Sequence, residues 1–234
     1  LSFAQELRFS EKLRDREHYD EAIKRLDRAE VIAESPDERE QLLAAQITTY
    51  QSAGKLDEKI VELRDQAANS ESLRRLALMY AAKGAWADAT GAIERALQST
   101  PENVSVMVVA AEIAENQNRF ADAAGLFEKL AQIDRRYRTN HLQHVADLQM
   151  RLGNFRQAFE ACDILIDANP ASVESFQFMA WLAFRAGRDD QAFAALRRAM
   201  SVAPRDNTPR IMLASAFADR FRTEEAIELY WQAM

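Results

Sequence analysis

Apolar residues recur along this chain at spacings of three and four, the period of one face of an α-helix, and the apolar runs come in pairs. The clearest pair lies between Ser70 and Pro101. Leu73, Leu76, Ala77 and Tyr80 stripe a first helix over 70–83, Gly84 interrupts it, and Ala89, Ile93 and Ala96 stripe a second helix that Pro101 closes. A glycine there accepts the positive φ of a tight turn, and a proline stops a helix because it lacks the backbone donor and clashes with the preceding turn.

With Gly84 as position 15 of a unit that starts at Ser70, the pattern returns at Val104, Thr139 and Val173, at spacings of 34, 35 and 34 residues. Second helices close at Pro101, Arg135, Pro170 and Pro204. Gly54, Gly153 and Gly187 repeat the turn, Asn118 substitutes as the next most tolerant of the left-handed region, and Phe221 predicts a different turn in the last unit. Alanines fall where paired helices must approach closely, Ala77, Ala111, Ala146, Ala180 and Ala214 at position 8 and Ala22, Ala89, Ala123, Ala158, Ala192 and Ala226 at position 20. Larger residues fill the gaps beside them at positions 4 and 17, among them Leu73, Met107, Leu142, Phe176, Trp86, Phe120 and Phe155.

Toward the N-terminus the pattern weakens. One helix pair is expected over 3–34 with Glu17 at the turn, and another over 40–69 that is shortened and carries Lys59 at the alanine position 20. Pro36 marks a helix entry between them. The unit that begins near Asn207 reaches Met234 with its second helix unfinished, leaving Tyr230 and Trp231 poorly covered. That predicts either a continuing natural chain or self-association through this C-terminal edge, because a terminal repeat normally carries a polar cap. The first residue, Leu1, suggests a processed product or excerpt, so any targeting signal would lie upstream and the compartment stays open.

The order of large, small and turn positions resembles the tetratricopeptide repeat, strongly over 70–234 and weakly over 1–69. The resemblance implies an all-α fold: a single α-solenoid over 1–234 of about seven antiparallel helix pairs stacked into a right-handed superhelix. First helices of the family line a concave groove that takes extended peptides or partner helices. Carried over by position, the groove residues are Asn140, Gln143, Asp147, Met150 and Arg151 in one unit and Glu174, Gln177, Trp181, Phe184 and Arg185 in the next. Trp181 and Phe184, with Met150 beside them and Gln143, Asp147, Gln177 and Arg185 around them, form the expected partner-binding cluster; the alternative is that both aromatics pack between adjacent repeats. Two specialisations of the family are missing. The chaperone-type carboxylate clamp would need Lys and Asn where Arg74 and Leu78 stand, and the sugar-transferase asparagine ladder meets Arg75, Val109, His144, Phe178 and Met212.

Composition narrows the function further. Only six Gly and five Pro occur in 234 residues, which favours helix nearly throughout. The net charge of −7 argues against nucleic acid, and the clusters Arg135, Arg136, Arg138 and Arg197, Arg198 read as solvated helix ends. No apolar run approaches the ~18 residues of a membrane span, so no membrane insertion is expected. The single cysteine, Cys162, excludes an internal disulfide and falls at an apolar position, as a small buried hydrophobe. His141, His144 and Asp147 stand three apart on one helix, a spacing that could bring them onto one metal, but they lack a fourth ligand and read as a polar helix surface. No nucleophile with a matching base and no glycine-rich phosphate loop is present, so neither a cofactor nor catalytic machinery is implied. The sequence reading is a noncatalytic protein-interaction scaffold, and the second reading is a regulatory or substrate-recruiting arm of a larger enzyme whose catalytic domain lies outside these residues.

Overall fold

The paired stripes fold as paired helices. The computed structural model describes residues 1–234 as fourteen α-helices without a strand. They are α1 (Phe3–Arg14), α2 (Tyr19–Ile32), α3 (Pro36–Ser52), α4 (Leu56–Gln66), α5 (Ser70–Lys83), α6 (Trp86–Ser99), α7 (Val104–Asn116), α8 (Phe120–Ile133), α9 (Arg138–Arg151), α10 (Phe155–Ala168), α11 (Val173–Arg185), α12 (Asp189–Val202), α13 (Thr208–Ala218) and α14 (Thr223–Ala233).

One turn is used throughout. Gly54, Gly84, Gly153 and Gly187 take φ between 68° and 79°, and Glu17, Asn118 and Phe221 take the same left-handed conformation at φ 63°, 59° and 59°. At six of these seven turns, the one at Asn118 excepted, the residue that follows donates its N–H to the carbonyl five residues back, as from Ala85 to Tyr80 at 2.9 Å, Arg188 to Ala183 at 2.8 Å and Arg222 to Phe217 at 2.9 Å. This closes the last carbonyls of the first helix and directs the chain into the second. The different turn expected at Phe221 is therefore corrected. The closure is made by backbone groups, and the Phe221 ring, 94% exposed, meets no obstacle that would forbid it.

The helices gather into two units, residues 1–117 with α1 to α7 and residues 118–234 with α8 to α14. Within each unit, helices pack mainly on their neighbours in chain order: α1 on α2, α5 on α6 and α6 on α7 in the first, α8 on α9, α9 on α10, α11 on α12 and α12 on α13 in the second. Such serial packing is the mark of an all-α solenoid, where no central core exists and each pair buries the face of the next. The alanines at position 8 are fully buried, and so are those at position 20, with Ala226 nearly so. Helix axes approach closely at these points because no side chain beyond a methyl group intervenes.

The N-terminal repeats add polar bridges between helices to an apolar cluster of Phe3, Leu26, Ala29 and Leu42. Ser35 caps α3 reciprocally with Glu38, with Pro36 in the first turn. Arg74 on α5 is buried and donates to Glu40 on α3, at 3.1 Å through Nη1, and to Glu71 at 2.9 Å through Nε. Burial opposes its charge, but the hydrogen bonds to Glu71 and Glu40 outweigh that and raise its pKa. Gln46 donates to Glu30 and accepts from Arg75, each at 3.1 Å, so α2, α3 and α5 share a second polar bridge.

Candidate functional site

The expected partner-binding residues lie on α9 and α11, both in the second unit. Asp147 ties the two helices together: its carboxylate accepts Arg151 Nε at 2.7 Å on its own helix and Arg185 Nη1 at 2.9 Å from α11. Arg185 in turn lies over the indole of Trp181, its guanidinium carbon 4.6 Å from the ring centroid. Trp181 stacks on Phe178 with centroids 5.6 Å apart and planes 18° from parallel. The three side chains Phe178, Trp181 and Arg185 follow one another at i, i+3 and i+7 and so share one face of α11.

Trp181 is 39% exposed, a large aromatic held in place from two directions yet open to solvent. Gln143 and Gln177 are half-buried on the same helices. Phe184 and Met150 are placed differently. Met150 is only 7% exposed and is closed within the packing of the second unit, so it offers no surface to a groove. Phe184 meets the edge of Phe193 on α12, with centroids 5.8 Å apart and planes at 71°, and carries the Arg220 guanidinium 4.6 Å from its ring. Phe193 continues to Phe217 on α13 at 4.7 Å, and Arg220 is bound to Asp189. Phe184 therefore belongs to the aromatic and arginine stack that joins α11, α12 and α13, the inter-repeat alternative weighed for it from sequence, whereas Trp181 stands outside that stack.

Phe178 did not emerge from position counting, because position 6 lies off the groove stripe. Its spacing of three from Trp181 was the available signal. Besides stacking on the indole, it packs on the buried cluster of Ala131, Leu142 and Leu165.

The three residues considered for a metal do not converge. His141 is buried, contrary to the polar-surface reading, with Nε2 2.9 Å from Asp134 Oδ2; His144 stacks on Phe127 at 4.4 Å; Asp147 is held by its two arginines. No group of three His, Cys, Asp or Glu is arranged to hold a metal ion. Cys162 is fully buried, and burial pushes its thiol up to about 12. No helix is long and apolar enough to cross a membrane.

Serial helix pairs joined by a recurring left-handed turn define a helical-repeat protein. The family is the tetratricopeptide repeat, to which the chain belongs: its model matches residues 74–138 and 146–207, more than half of the chain. A tetratricopeptide repeat protein from Parabacteroides merdae is 17% identical, with 99% of this chain and 91% of that one covered and a TM-score of 0.53. A crystal structure of MamA is 16% identical over 70% of this chain and 89% of its own, with a TM-score of 0.53. MamA from Desulfovibrio magneticus is 11% identical over 70% and 93%, with a TM-score of 0.52. At such identities the likeness is one of fold. The comparison with curated proteins found no match. As a tetratricopeptide repeat protein, the chain has the architecture of a protein-interaction scaffold.

Proposed function

We propose that the chain is a noncatalytic scaffold that captures a peptide or helical segment of another protein on the first-helix face of its second unit, around Trp181. The observation that supports this is the state of that residue. An indole stacked on Phe178, covered by Arg185 and still 39% exposed has lost most of its rotamer freedom before any partner arrives. Rigid, partly exposed aromatics beside an arginine are the side chains that carry most binding energy at interfaces. Gln143, Gln177 and the Asp147–Arg185 pair supply the polar surround, and the second arginine of Asp147 leaves the cluster with net positive charge.

Pull-down with the immobilised protein tests this reading. Trp181→Ala should weaken capture of its partner by roughly 30-fold or more, the loss expected at a hot spot of about 2 kcal/mol, with unchanged far-UV circular dichroism. Equal capture by the variant would remove α11 from the interface.

A further inference from the structure

A second surface of the same unit involves α8, α9 and α10. The groove between α8 and α10, floored by α9, has a volume of about 910 Å³, within the upper range of ligand-sized clefts. Ala131, Leu142, Val145 and Ala161 form its apolar floor, all of them buried within the unit, and Ile164 stands exposed at its wall. Its ends differ in charge. Glu128 and Glu160 stand toward one end, and Arg135 and Arg138 line the other.

The basic end arises from a local departure in sequence. Where α6, α10 and α12 are followed by Pro101, Pro170 and Pro204, the four-residue link between α8 and α9 carries Arg135. Asp134 fixes it: the carboxylate accepts the Tyr137 N–H at 3.4 Å and the buried His141 Nε2 at 2.9 Å. The hydrogen bond from His141 holds the Asp134 carboxyl below its ordinary value, so the anchor is ionised at neutral pH. Of the three arginines here, Arg136 is occupied by the Tyr137 ring, 5.1 Å from its centroid. Arg135 and Arg138 are exposed and form neither an ion pair nor a hydrogen bond, Asp134 being taken by His141 and Glu160 by Arg156. Two unpaired guanidinium groups, one on the pinned link and one at the start of α9, at the end of an apolar floor, are suited to receiving carboxylates.

From this charge complementarity we propose that the groove binds a short amphipathic segment of a partner protein, with acidic residues at the Arg135 and Arg138 end, an apolar middle on Ala131, Leu142, Val145 and Ala161, and basic residues at Glu128 and Glu160. Glu128 and Gln132 stand one turn apart on α8 and Arg135 follows just beyond its end, so this wall spans about 10 Å or two helical turns, which sets the length of the occupant. The site shares α9 with the face around Trp181 but none of that face's binding residues, and each stands if the other fails.

The probe is a labelled, end-blocked peptide of about nine residues with two aspartates, a leucine and alanine middle, and two lysines, matched to that span, measured by fluorescence anisotropy. Saturable binding to the wild-type protein should fall at least tenfold when Arg135→Glu and Arg138→Glu are combined, and equally when the peptide's aspartates become asparagines. A peptide with lysines replacing the aspartates should regain affinity for the doubly reversed protein, an outcome that loss of fold cannot produce. Trp181→Ala should leave all of these affinities unchanged. Should the double reversal unfold the chain, Arg135→Gln and Arg138→Gln singly carry the same test, each with a loss of about threefold. No saturable binding, indifference to the charge changes, or loss on Trp181→Ala would overturn the assignment.

Discussion

Phe221 stands at φ 59° with its ring in solvent, so its backbone is strained and its side chain offers little packing in return. A residue with a Cβ is disfavoured in the left-handed region by ~1–2 kcal/mol. Glycine would remove that strain while adding freedom to the unfolded chain, which returns part of the gain. Phe221→Gly is therefore expected to stabilise the protein by about 0.5–1 kcal/mol, read from the midpoint of urea denaturation, and a lower midpoint would show that the ring packs on something. Arg222 holds the turn from its far side, its guanidinium lying 4.3 Å from the Phe217 ring and donating to Glu225. Trp181 and Met150 make the complementary point. Both were placed on the groove by counting positions, yet neighbouring rings and helices decide which of them reaches solvent.

At the level of helix pairs, the crossing points depend on side chains no larger than a methyl group. Ala158 on α10 is fully buried, and α10 packs against both α9 and α11. Ala158→Leu must push one of these helices away or force strained rotamers, at a cost of ~1–3 kcal/mol; thermal denaturation should show the loss, and an unchanged midpoint would contradict the repeat register. The register itself was legible in the sequence, since small residues at two fixed positions and a turn former between them have no alternative packing that uses them all. The first two repeats were less legible because some of their contacts are polar. Arg74, Glu40 and Glu71 form a network in which each partner is set by geometry across helices, and no apolar period marks it. His141 was misread for a similar reason: a histidine on a helix looks like surface until the aspartate that receives it, seven residues earlier and in another element, is placed beside it. Arg135 on the link and Arg138 at the start of α9 read from sequence as solvated helix ends, and only the position of α10 across from them reveals a groove.

Across the molecule, serial packing makes local stability depend on how much of each helix its neighbours cover, and this varies widely. In α7 seven residues are buried, among them Val106, Met107, Ala111 and Ile113, while α12 buries five. Ala226 is the sole buried residue of α14, where Tyr230 remains 40% and Trp231 69% exposed. A side-chain hydrogen bond from Asn207 to the Ala233 carbonyl, at 2.8 Å, steadies its last turn, but one exposed bond contributes only about 1 kcal/mol. Opening α14, which packs mainly on α13, therefore exposes little apolar surface, whereas opening α12, which packs on both α11 and α13, would uncover Phe193 and Leu196 together with the arginines stacked on Phe193. Local opening free energies scale with such differences, from near zero in weakly held elements up to the global value in well-covered ones. Native-state hydrogen exchange should accordingly show the amides of α14 exchanging at least tenfold faster than those of α12, each helix being compared within the second unit. Equal protection in the two would mean that α14 is covered in solution by a surface that binds its exposed face, and Trp231→Ser, which removes the largest apolar group there, should then restore the difference.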